Sequence, residues 1–310
     1  MRILVAGELN PDLVFSGAAS LPQPGREVLA EDFSLQLGSS SAICAAGLAR
    51  LGNEVSFVGR VGPDPLGRFA LDALGATGVD VSPVLVDPGV KTGITVSISA
   101  GDRALLTCLG AIEALAAEDV PDGLLRGFRH LHVSSYYLQR RLRPGLAGLF
   151  HRARSLGLST SLDPGCDPAG RWDDGIREVL PQTDVFLVNE VELAGLAGAE
   201  QMEDALRALA RGPGLVVAKL GPRGCATLDG GRIRLVPAIP VEVLDTTGAG
   251  DSFNAGFLHA WLRRRSLEDC LRCGVVCGSL STRALGGTAS QPSWNEVQEY
   301  LTCSPRVPGS

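Results

Sequence analysis

The chain has 310 residues, of which 45% are hydrophobic and 20% are charged. This length and composition are typical of a globular protein with one large domain or two smaller ones, and they exclude a disordered or fibrous chain. The formal net charge of −6 argues against a general binder of nucleic acid or of acidic membrane surfaces.

The chain opens with a short apolar run, residues 3–6, that Gly7 and Glu8 end. This run is too short for the core of a signal peptide. No apolar stretch of the sequence approaches the roughly 18 residues that a membrane-spanning helix needs. We therefore expect a cytoplasmic protein that does not enter a membrane.

Similar apolar runs recur at residues 185–188 and 215–218. Strands of continuous apolar residues are buried on both faces, as in a parallel sheet covered by helices. Amphipathic stretches, which predict helices, lie between the strands at residues 42–51, 65–74, 146–156 and 202–210. This alternation is typical of repeated βαβ units, so we predict an α/β fold with a mostly parallel central sheet between helices.

Residues 93–99 have a different pattern, in which apolar side chains alternate with threonine and serine. This period of two predicts a strand that is wet on one face, and a glycine-aspartate turn would return it as a partner strand at residues 104–107. Residues 12–16 and 27–35 would add two more strands. The four pieces predict a small, half-exposed sheet whose apolar face must be covered by the main domain, a substrate or a second subunit.

The chain has eight cysteines, and three of them, Cys270, Cys273 and Cys277, are closely spaced. A Cys-x-x-Cys pair suggests zinc, but the sequence has no second such pair or nearby histidine pair to complete a tetrahedral site. The spacing i, i+3, i+7 places the three side chains on one face of a helix. We therefore interpret them as buried free thiols, which fits a reducing compartment.

Residues 245–257 are the most informative segment, a glycine-rich turn that leads into a helix. Phe253, Phe257 and Trp261 are spaced at i, i+4 and i+8. This stripe predicts a helix that begins close to Gly250 and buries its aromatic face.

The turn itself has the features of an anion site. Gly248 and Gly250 allow unusual dihedral angles and close approach of a ligand. The start of a helix presents free N–H groups and the positive end of the helix dipole. Asp251 lies in the first turn, where an acid alternatively only stabilises the helix, by about 0.3–1 kcal/mol. Because glycines directly precede it, we favour an anion site with a carboxylate beside it, which suits phosphoryl transfer to a hydroxyl.

Further motifs follow one another along the chain. They are GSSSAI at 38–43, GLARLG at 47–52, VGRVGPDPLG at 58–67, NEVE at 189–192 and KLGPRG at 219–224. Together with the glycine-rich turn, these motifs make the chain similar to the ribokinase-like (PfkB) carbohydrate kinases over residues 1 to about 302.

The resemblance implies an ATP-dependent carbohydrate kinase with a three-layer ribokinase-like fold and a small β-sheet lid over the sugar. Residues 1–302 would be the kinase domain, with the lid formed by segments about 12–35 and 91–108, and residues 303–310 would be a flexible tail. Because the lid of many members is part of a dimer contact, a homodimer through the lid is expected. The other partners implied are ATP and a small sugar, with no nucleic acid.

The resemblance makes Asp251 the catalytic base. It makes the backbone of Gly248, Ala249, Gly250 and Asp251 the anion hole for the transferred phosphoryl group. An aspartate with the ordinary pKa near 3.9 would orient the hydroxyl and accept its proton late in a loose transition state.

The nucleotide and its metal are assigned in the same way. The implied nucleotide-binding residues are Asn189, Lys219, Gly221, Gly224 and Asn254. Mg²⁺ would neutralise the triphosphate, organised by Asn189 and Glu192 mostly through water, although the same pair alone would be read as a helix capping box. The places where many relatives bind a monovalent cation, usually potassium, match Asp245, Thr247 and Ser290.

The sugar side differs from ribokinases at two positions. The implied contacts are Asp12, Gly38, Ser39, Ile43 and Ser135. Asp12 matches an aspartate near the lid that accepts hydroxyl hydrogen bonds, although a turn after Asn10 would also use it. Ser39 replaces the second glycine of a Gly-Gly pair, and Ile43 stands where ribokinases have a sugar-binding asparagine. Ribose recognition in the ribokinase manner is therefore not expected.

Other polar residues near these motifs have two interpretations. Arg103, at the predicted tip of the lid hairpin, would reach an acidic or phosphorylated sugar, but a solvated turn arginine is the favoured alternative. His130 and His132 alternate on one face of a strand, and we interpret them as structural. Asp163, Arg171 and Trp172 follow another strand and loosely resemble keto-sugar kinases.

Three other functions are weighed against a sugar kinase. A nucleoside kinase of the same fold would use Ile43 and Tyr136 or Tyr137 as an apolar base-binding surface. A non-catalytic sugar sensor on this scaffold is disfavoured by the intact Asp251. A nicotinamide dehydrogenase is disfavoured because no G-x-G-x-x-G motif follows the first strand.

Overall fold

A computed structural model describes residues 1–100 and 102–303, without the side chains of 99, 100, 102, 103 and 303. The side chain of Arg103 and the predicted tail beyond residue 303 therefore lie outside the described residues. Cys303 itself is the last residue of the final helix.

The structure alternates strands and helices, as the sequence pattern predicts. The strands are β1 (Arg2–Ala6), β2 (Pro11–Ser16), β3 (Asp32–Leu37), β4 (Glu54–Val58), β5 (Arg60–Val61), β6 (Leu85–Val86), β7 (Ile94–Ala100), β8 (Asp102–Cys108), β9 (His130–Val133), β10 (Ser159–Leu162), β11 (Val185–Asn189), β12 (Leu215–Lys219), β13 (Cys225–Asp229) and β14 (Arg232–Val236). The helices are α1 (Ser40–Arg50), α2 (Pro65–Gly75), α3 (Asp122–Leu125), α4 (Arg143–Ser155), α5 (Ile176–Val179), α6 (Glu190–Ala197), α7 (Met202–Leu209), α8 (Ala249–Leu262), α9 (Leu267–Leu280) and α10 (Trp294–Cys303).

The central sheet has eight strands in the order β14-β13-β12-β11-β10-β9-β1-β4. The six strands from β12 to β4 are parallel, and β13 and β14 extend the sheet as antiparallel strands. Parallel strands put all their carboxyl ends at one edge, which is where open α/β sheets bind ligands.

Helices cover both faces of this sheet, and β1 shows why. Ile3 and Val5 belong to one core cluster, which also contains residues of α1, α2, α8, α9 and α10. Leu4 and Ala6 belong to a second cluster, with residues of α3 to α7. Because successive side chains of a strand point to opposite faces, the continuous apolar run fills both cores. The predicted three-layer α/β fold is confirmed.

Helix α8 begins at Ala249, one residue before the predicted position. Phe253 and Phe257 are buried with their rings stacked 6.3 Å apart, and Trp261 is half-buried. The three cysteines of α9 pack into the same core as these phenylalanines, as their spacing predicted.

The small sheet has the order β3-β2-β7-β8. The second strand was predicted at 27–35 and is found at Asp32–Leu37. Its length is set by its partner, because the six residues of β2 pair with six residues of β3, from Ser16 with Asp32 to Pro11 with Leu37. Glu31 donates its amide to the carbonyl of Ser16, the last residue of β2, at 3.0 Å, and residues 27–30 lie beyond the end of that strand. None of the described helices is long and apolar enough to cross a lipid bilayer.

The register divides the small sheet into two unlike faces. Paired residues in neighbouring strands share a face. One face carries the rows Leu35, Leu13, Val96, Leu106 and Phe33, Phe15, Ile98, Ala104. The opposite face carries the row Gln36, Asp12, Thr95, Thr107.

Candidate active site

Polar side chains collect at the carboxyl edge of the parallel sheet. Glu8 and Ser135 each follow a strand by two residues, Asp163 directly follows β10, and Asn189 and Lys219 end β11 and β12. The topology therefore brings together predicted residues from distant parts of the sequence. It places with them Asp163, which the sequence linked only loosely to keto-sugar kinases, and it adds Glu8.

Gly248 caps the start of α8 with a left-handed backbone, φ +70°. A Cβ atom at this position would lie 2.8 Å from the Cα of Gly287 and 2.9 Å from Cγ2 of Ile43. Both the dihedral angle and the close approach therefore require glycine here.

The amides at the start of α8 were predicted to form an anion hole. One of these amides, that of Ala249, is already hydrogen-bonded within the protein. The N–H of Ala249 already donates to the carbonyl of Thr246 at 3.2 Å. Among the described residues, no acceptor is bonded to the N–H of Gly250 or Asp251, and no side chain caps the helix. An anion at this end of α8 would therefore be bound mainly by the amides of Gly250 and Asp251.

Asp251 is half-buried at the start of α8. Its carboxylate is a stronger base than an aspartate with the ordinary pKa. Burial raises its pKa well above the ordinary value, and the charge of Asp163 raises it further, whereas Lys219 and a hydrogen bond with Ser40 lower it. The expected pKa near 3.9 is therefore wrong, because the site has a low dielectric and a neighbouring carboxylate.

Asp163, Lys219 and Asn254 form a buried triad. Lys219 Nζ lies 2.5 Å from Asp163 Oδ2 and donates to Asn254 Oδ1 at 3.4 Å. Asn254 Nδ2 donates to the same aspartate oxygen at 2.6 Å. Burial alone would lower the pKa of Lys219, but the neighbouring carboxylates, Asp163 foremost, raise it, so the pair is ionised.

Glu8 is a buried carboxylate that the sequence interpretation did not include. It accepts hydrogen bonds from Ser41 Oγ at 2.6 Å, from the Ser41 amide at 3.1 Å and from Ser135 Oγ at 2.8 Å. Burial raises its pKa despite these donors. Its position directly after a buried parallel strand is the signal that could have identified it.

Asn189 and Glu192 form a complete capping box at the start of α6, so the structural alternative is present. The Asn189 amide and Nδ2 both donate to Glu192, and the Glu192 amide donates to Asn189 Oδ1 at 2.9 Å. Burial, followed by the charge of Asp163, raises the pKa of Glu192 to about 7. The described residues contain no cluster of three or more His, Cys, Asp or Glu residues able to hold a metal. A single carboxylate fits an ion such as Mg²⁺ that keeps several waters and takes other ligands from substrate phosphates.

Asp245 is the centre of a turn that precedes α8. Its Oδ1 accepts from the Thr247 amide at 2.9 Å and from Thr247 Oγ1 at 2.7 Å, and its Oδ2 accepts from the Gly286 amide at 2.8 Å. Ser290, predicted with them, donates its hydroxyl to the Ser281 carbonyl at 2.6 Å. The turn and the segment after α9 are thus tied together beside α8.

On the sugar side, Asp12 and Gly38 are in close contact. A Cβ at residue 38 would lie 2.0 Å from Asp12 Oδ1, so only glycine leaves room for this carboxylate. Ser39 adopts φ 72°, a conformation that disfavours a side chain and suits the glycine usual there. Its hydroxyl donates to the Glu8 carbonyl at 2.5 Å and accepts from the Ala42 amide at 3.1 Å, which compensates for the backbone strain.

Ile43, predicted as a sugar contact, is packed inside the protein. It is 3% exposed, and its side chain lies against the backbone of Gly248 and Gly287. Gln291 strengthens this junction, because its Nε2 donates to the Ile43 carbonyl and to Ser252 Oγ, each at 2.9 Å. Residue 43 therefore fixes α1 against the turn that begins α8, a role that a sequence motif alone does not show.

Two further sets of residues lie outside this cluster. His130 and His132 are fully buried and hydrogen-bonded to Ser159, Ser161 and Ser134, with pKa values lowered by burial to about 3 and about 4. Arg171 pairs with Asp174, while Trp172 and the tyrosines at 136 and 137 pack against one another.

A cavity of about 550 Å³ opens beside the start of α8. Its walls are mostly apolar, and they include three predicted nucleotide residues, Lys219, Gly221 and Gly224. Its other lining residues include Ala238, Ile239, Pro240, Val241, Val243, Ala249, Gly250 and Val275. A cavity of this size and polarity suits a flat aromatic ligand whose charged end lies at the helix terminus.

Comparison with known proteins shows the family and the fold of the chain. The pfkB family carbohydrate kinase pattern matches residues 2–294. An ATP-dependent ribose-1-phosphate kinase of Halopiger xanaduensis is 30% identical, with 97% of this chain and 98% of that protein covered. The structure of Arabidopsis thaliana ribokinase with ribose and ATP has a TM-score of 0.83 at 27% identity, covering 98% and 99% of the two chains. The structure of a Vibrio cholerae fructokinase double mutant, bound to fructose, ADP and potassium, has a TM-score of 0.80 at 26% identity, covering 97% and 98%. The chain belongs to the PfkB family of carbohydrate kinases and has the ribokinase-like fold of that family.

Proposed function

We propose that this sugar kinase transfers the γ-phosphoryl group of ATP to a hydroxyl of a small sugar, with Asp251 as the base. The observation that carries the proposal is the position of Asp251 at the start of α8, beside amides that have no partner among the described residues. Its raised pKa makes it a better proton acceptor for an alcohol than an exposed aspartate.

The anion hole consists of the Gly250 and Asp251 amides, with Gly248 shaping the turn. Phosphoryl transfer depends on positioning and on stabilising charge more than on covalent chemistry. Fixed amides at a helix terminus serve both purposes, since they do not reorganise when charge develops.

The apolar cavity accommodates the nucleotide base, and Gly221 and Gly224 leave room at its edge. Asn254 supports nucleotide binding indirectly, because it accepts a hydrogen bond from Lys219. Glu192, with Asn189 as its partner, would hold Mg²⁺ through water, and the ion would supply neutralising charge to the triphosphate when bound. The turn of Asp245 and Thr247, with Ser290 in the neighbouring segment, would hold a monovalent cation, as suggested by the potassium-bound fructokinase.

The acceptor sugar binds beneath the small sheet, which serves as a lid. Asp12, on the polar face of the lid, accepts hydrogen bonds from the sugar hydroxyls. Gly38, Ser39 and Ser135 form the opposite wall of the sugar site. Buried free thiols such as Cys273, together with the need for ATP, support a reducing compartment such as the cytoplasm.

A screen of ADP release tests the function. Pentoses, hexoses, keto-deoxy acids, sugar phosphates and nucleosides are each offered with ATP and Mg²⁺, with potassium exchanged for a bulky organic cation in a parallel series. We expect a sugar to give the highest kcat/KM and potassium to increase it. A nucleoside as the best acceptor would replace this proposal with a nucleoside kinase, and no turnover with any acceptor would indicate a sensor.

We also propose that two copies associate through the apolar face of the lid. Phe33 is 64% exposed and Leu106 is 72% exposed on this face. Burying these apolar side chains against a second copy would be favourable, because it removes their surface from water. Phe33→Lys is expected to convert a dimer to a monomer in light scattering. Asp32→Lys, a matched change at the next residue on the opposite face, is expected to leave the dimer intact. A wild-type monomer at micromolar concentration would contradict the proposal.

A further inference from the structure

The buried triad lies directly under the first turn of α8. A Cβ atom at Gly250 would lie 3.5 Å from Lys219 Nζ, so the ammonium group is against the backbone that carries the anion hole. Lys219 also lines the cavity assigned to the nucleotide. The position of this charge is therefore set between the nucleotide and the anion site.

Asp163 is well suited to fix that position. Its Oδ1 accepts from the Gly165 amide at 3.0 Å, and its Oδ2 accepts from both Lys219 and Asn254. The carboxylate is thus held by its own loop and by α8, and it is only 6% exposed. An ammonium has three N–H donors, and the described residues provide Lys219 with two acceptors, which leaves one donor for a ligand.

We propose that Asp163 is a positioning residue, which holds the Lys219 ammonium against the first turn of α8 so that one N–H points at the transferred phosphoryl group. This inference rests on the proposed anion hole. Without Asp163, the long lysine side chain would sample many rotamers, and the charge would no longer be preorganised.

The charges that face Asp251 come from several elements. They are Asp163 after β10, Lys219 at the end of β12 and Glu8 after β1. The thiol of Cys44 on α1 also lies close, and burial raises its pKa so far that it stays neutral. Since Asp163 raises the pKa of Asp251 and Lys219 lowers it, replacing each one alone should move this pKa in opposite directions.

Two single variants test the proposal. We expect Lys219→Met to lower kcat about 10²–10³-fold, as does loss of one oxyanion donor, and Asp163→Asn to lower it about tenfold or more, with sugar KM nearly unchanged. The acid limb of the kcat/KM profile should move to lower pH in Asp163→Asn and to higher pH in Lys219→Met. Wild-type kcat with an unmoved limb in a folded Asp163→Asn protein would overturn the proposal.

The double variant Asp163→Asn/Lys219→Gln separates positioning from stability. Its neutral pair restores hydrogen bonding, so we expect a higher Tm than either single variant and a kcat that remains low. Recovery of wild-type kcat would show that the pair is only structural and would overturn the proposal. Asp184→Asn is the matched control, because Asp184 also bonds β10, through the Thr160 amide, but at the opposite edge of the sheet. Its acid limb should not move.

A binding measurement keeps this test separate from the proposed function. By calorimetry, we expect a non-hydrolysable ATP analogue to bind about tenfold more weakly to both single variants, while AMP binds as to the wild type. Equal losses for the analogue and AMP would overturn the role at the transferred phosphoryl group. This result needs no sugar acceptor, so a failure to find one would count against the proposed function alone.

Discussion

Two clusters of buried polar residues lie on neighbouring strands of the central sheet and behave in opposite ways. The histidine ladder runs along β9 and β10, where His130 and His132 alternate with serine hydroxyls. The carboxylate cluster lies beyond the carboxyl ends of the strands and combines Glu8, Asp163 and Asp251 with Lys219. Both are buried, but only the second holds more charged groups than its internal partners can neutralise.

The difference indicates how burial is used in each place. The ladder lies within the sheet, where each histidine nitrogen has a serine partner and low pKa values keep both rings neutral. The cluster lies at the strand ends beside a cavity, where burial raises the pKa of Glu8 and of Asp251 while the Lys219 ammonium lowers the pKa of Asp163. Such perturbed groups are sensitive to an incoming cation or phosphate. The hydrogen-bonded neutral groups stabilise the fold, and the incompletely paired charged groups are the candidates for chemistry.

Asp251→Asn should produce the largest effect, because it removes the proposed base and keeps its shape. We expect kcat to fall by about 10²–10⁴-fold while sugar affinity stays within a few-fold. Steady-state kinetics with the best sugar measure both quantities. Turnover near the wild-type value would remove Asp251 from the mechanism and would erase the contrast between the clusters.

The histidine ladder should instead control stability. The pKa values of both rings are lower in the folded state than the unfolded value near 6.5, so the unfolded chain binds more protons below that pH. Stability is therefore complete above pH 6.5 and is lost as pH falls towards about 4 and about 3. Between pH 6.5 and 5 each histidine should cost about 2 kcal/mol of unfolding free energy.

Urea unfolding at several pH values checks this expectation. His130→Gln should have a smaller pH dependence than the wild type, although its stability at pH 7.5 also falls through lost hydrogen bonds. The acid limb of kcat/KM should not move in this variant. An unchanged pH dependence of stability would show that His130 is not held neutral.

Ser39 offers the smallest and most local test, since it supports the carboxylate cluster through the Glu8 carbonyl. Ser39→Ala loses the helix cap and keeps the unfavourable φ, so it should lower unfolding free energy by about 1 kcal/mol. Ser39→Gly also loses the cap but relieves the backbone, so it should stay within about 0.5 kcal/mol of the wild type. Thermal unfolding compares the two, and equal losses would mean that the backbone there carries no strain.

Local patterns were sufficient for much of the fold. The continuous apolar run at residues 3–6 predicted a strand buried on both faces, and the aromatic spacing after Gly250 predicted α8 to within one residue. The start of β3 was missed because strand length there depends on pairing with β2, which no local pattern records.

The candidate site also contains residues that a local motif predicts and residues whose contacts are distant in the chain. Asp251 and Gly248 lie in one contiguous motif, so their proximity is a property of the sequence. Ile43 was misassigned because its contacts, Gly248 and Gly287, are distant in the chain. The contacts of Asp163 and Glu8 were likewise not predicted, because the partners of these carboxylates come from other parts of the chain.

The sequence by itself determined the layers of this protein, its family and the glycine turn that begins α8, because hydrophobic periodicity and glycine act over a few residues. Only the tertiary structure decided which carboxylates share a buried lysine and which amide is already bonded. Electrostatic interactions depend on distance in space and on exclusion of water, and both exist only once the strands have assembled.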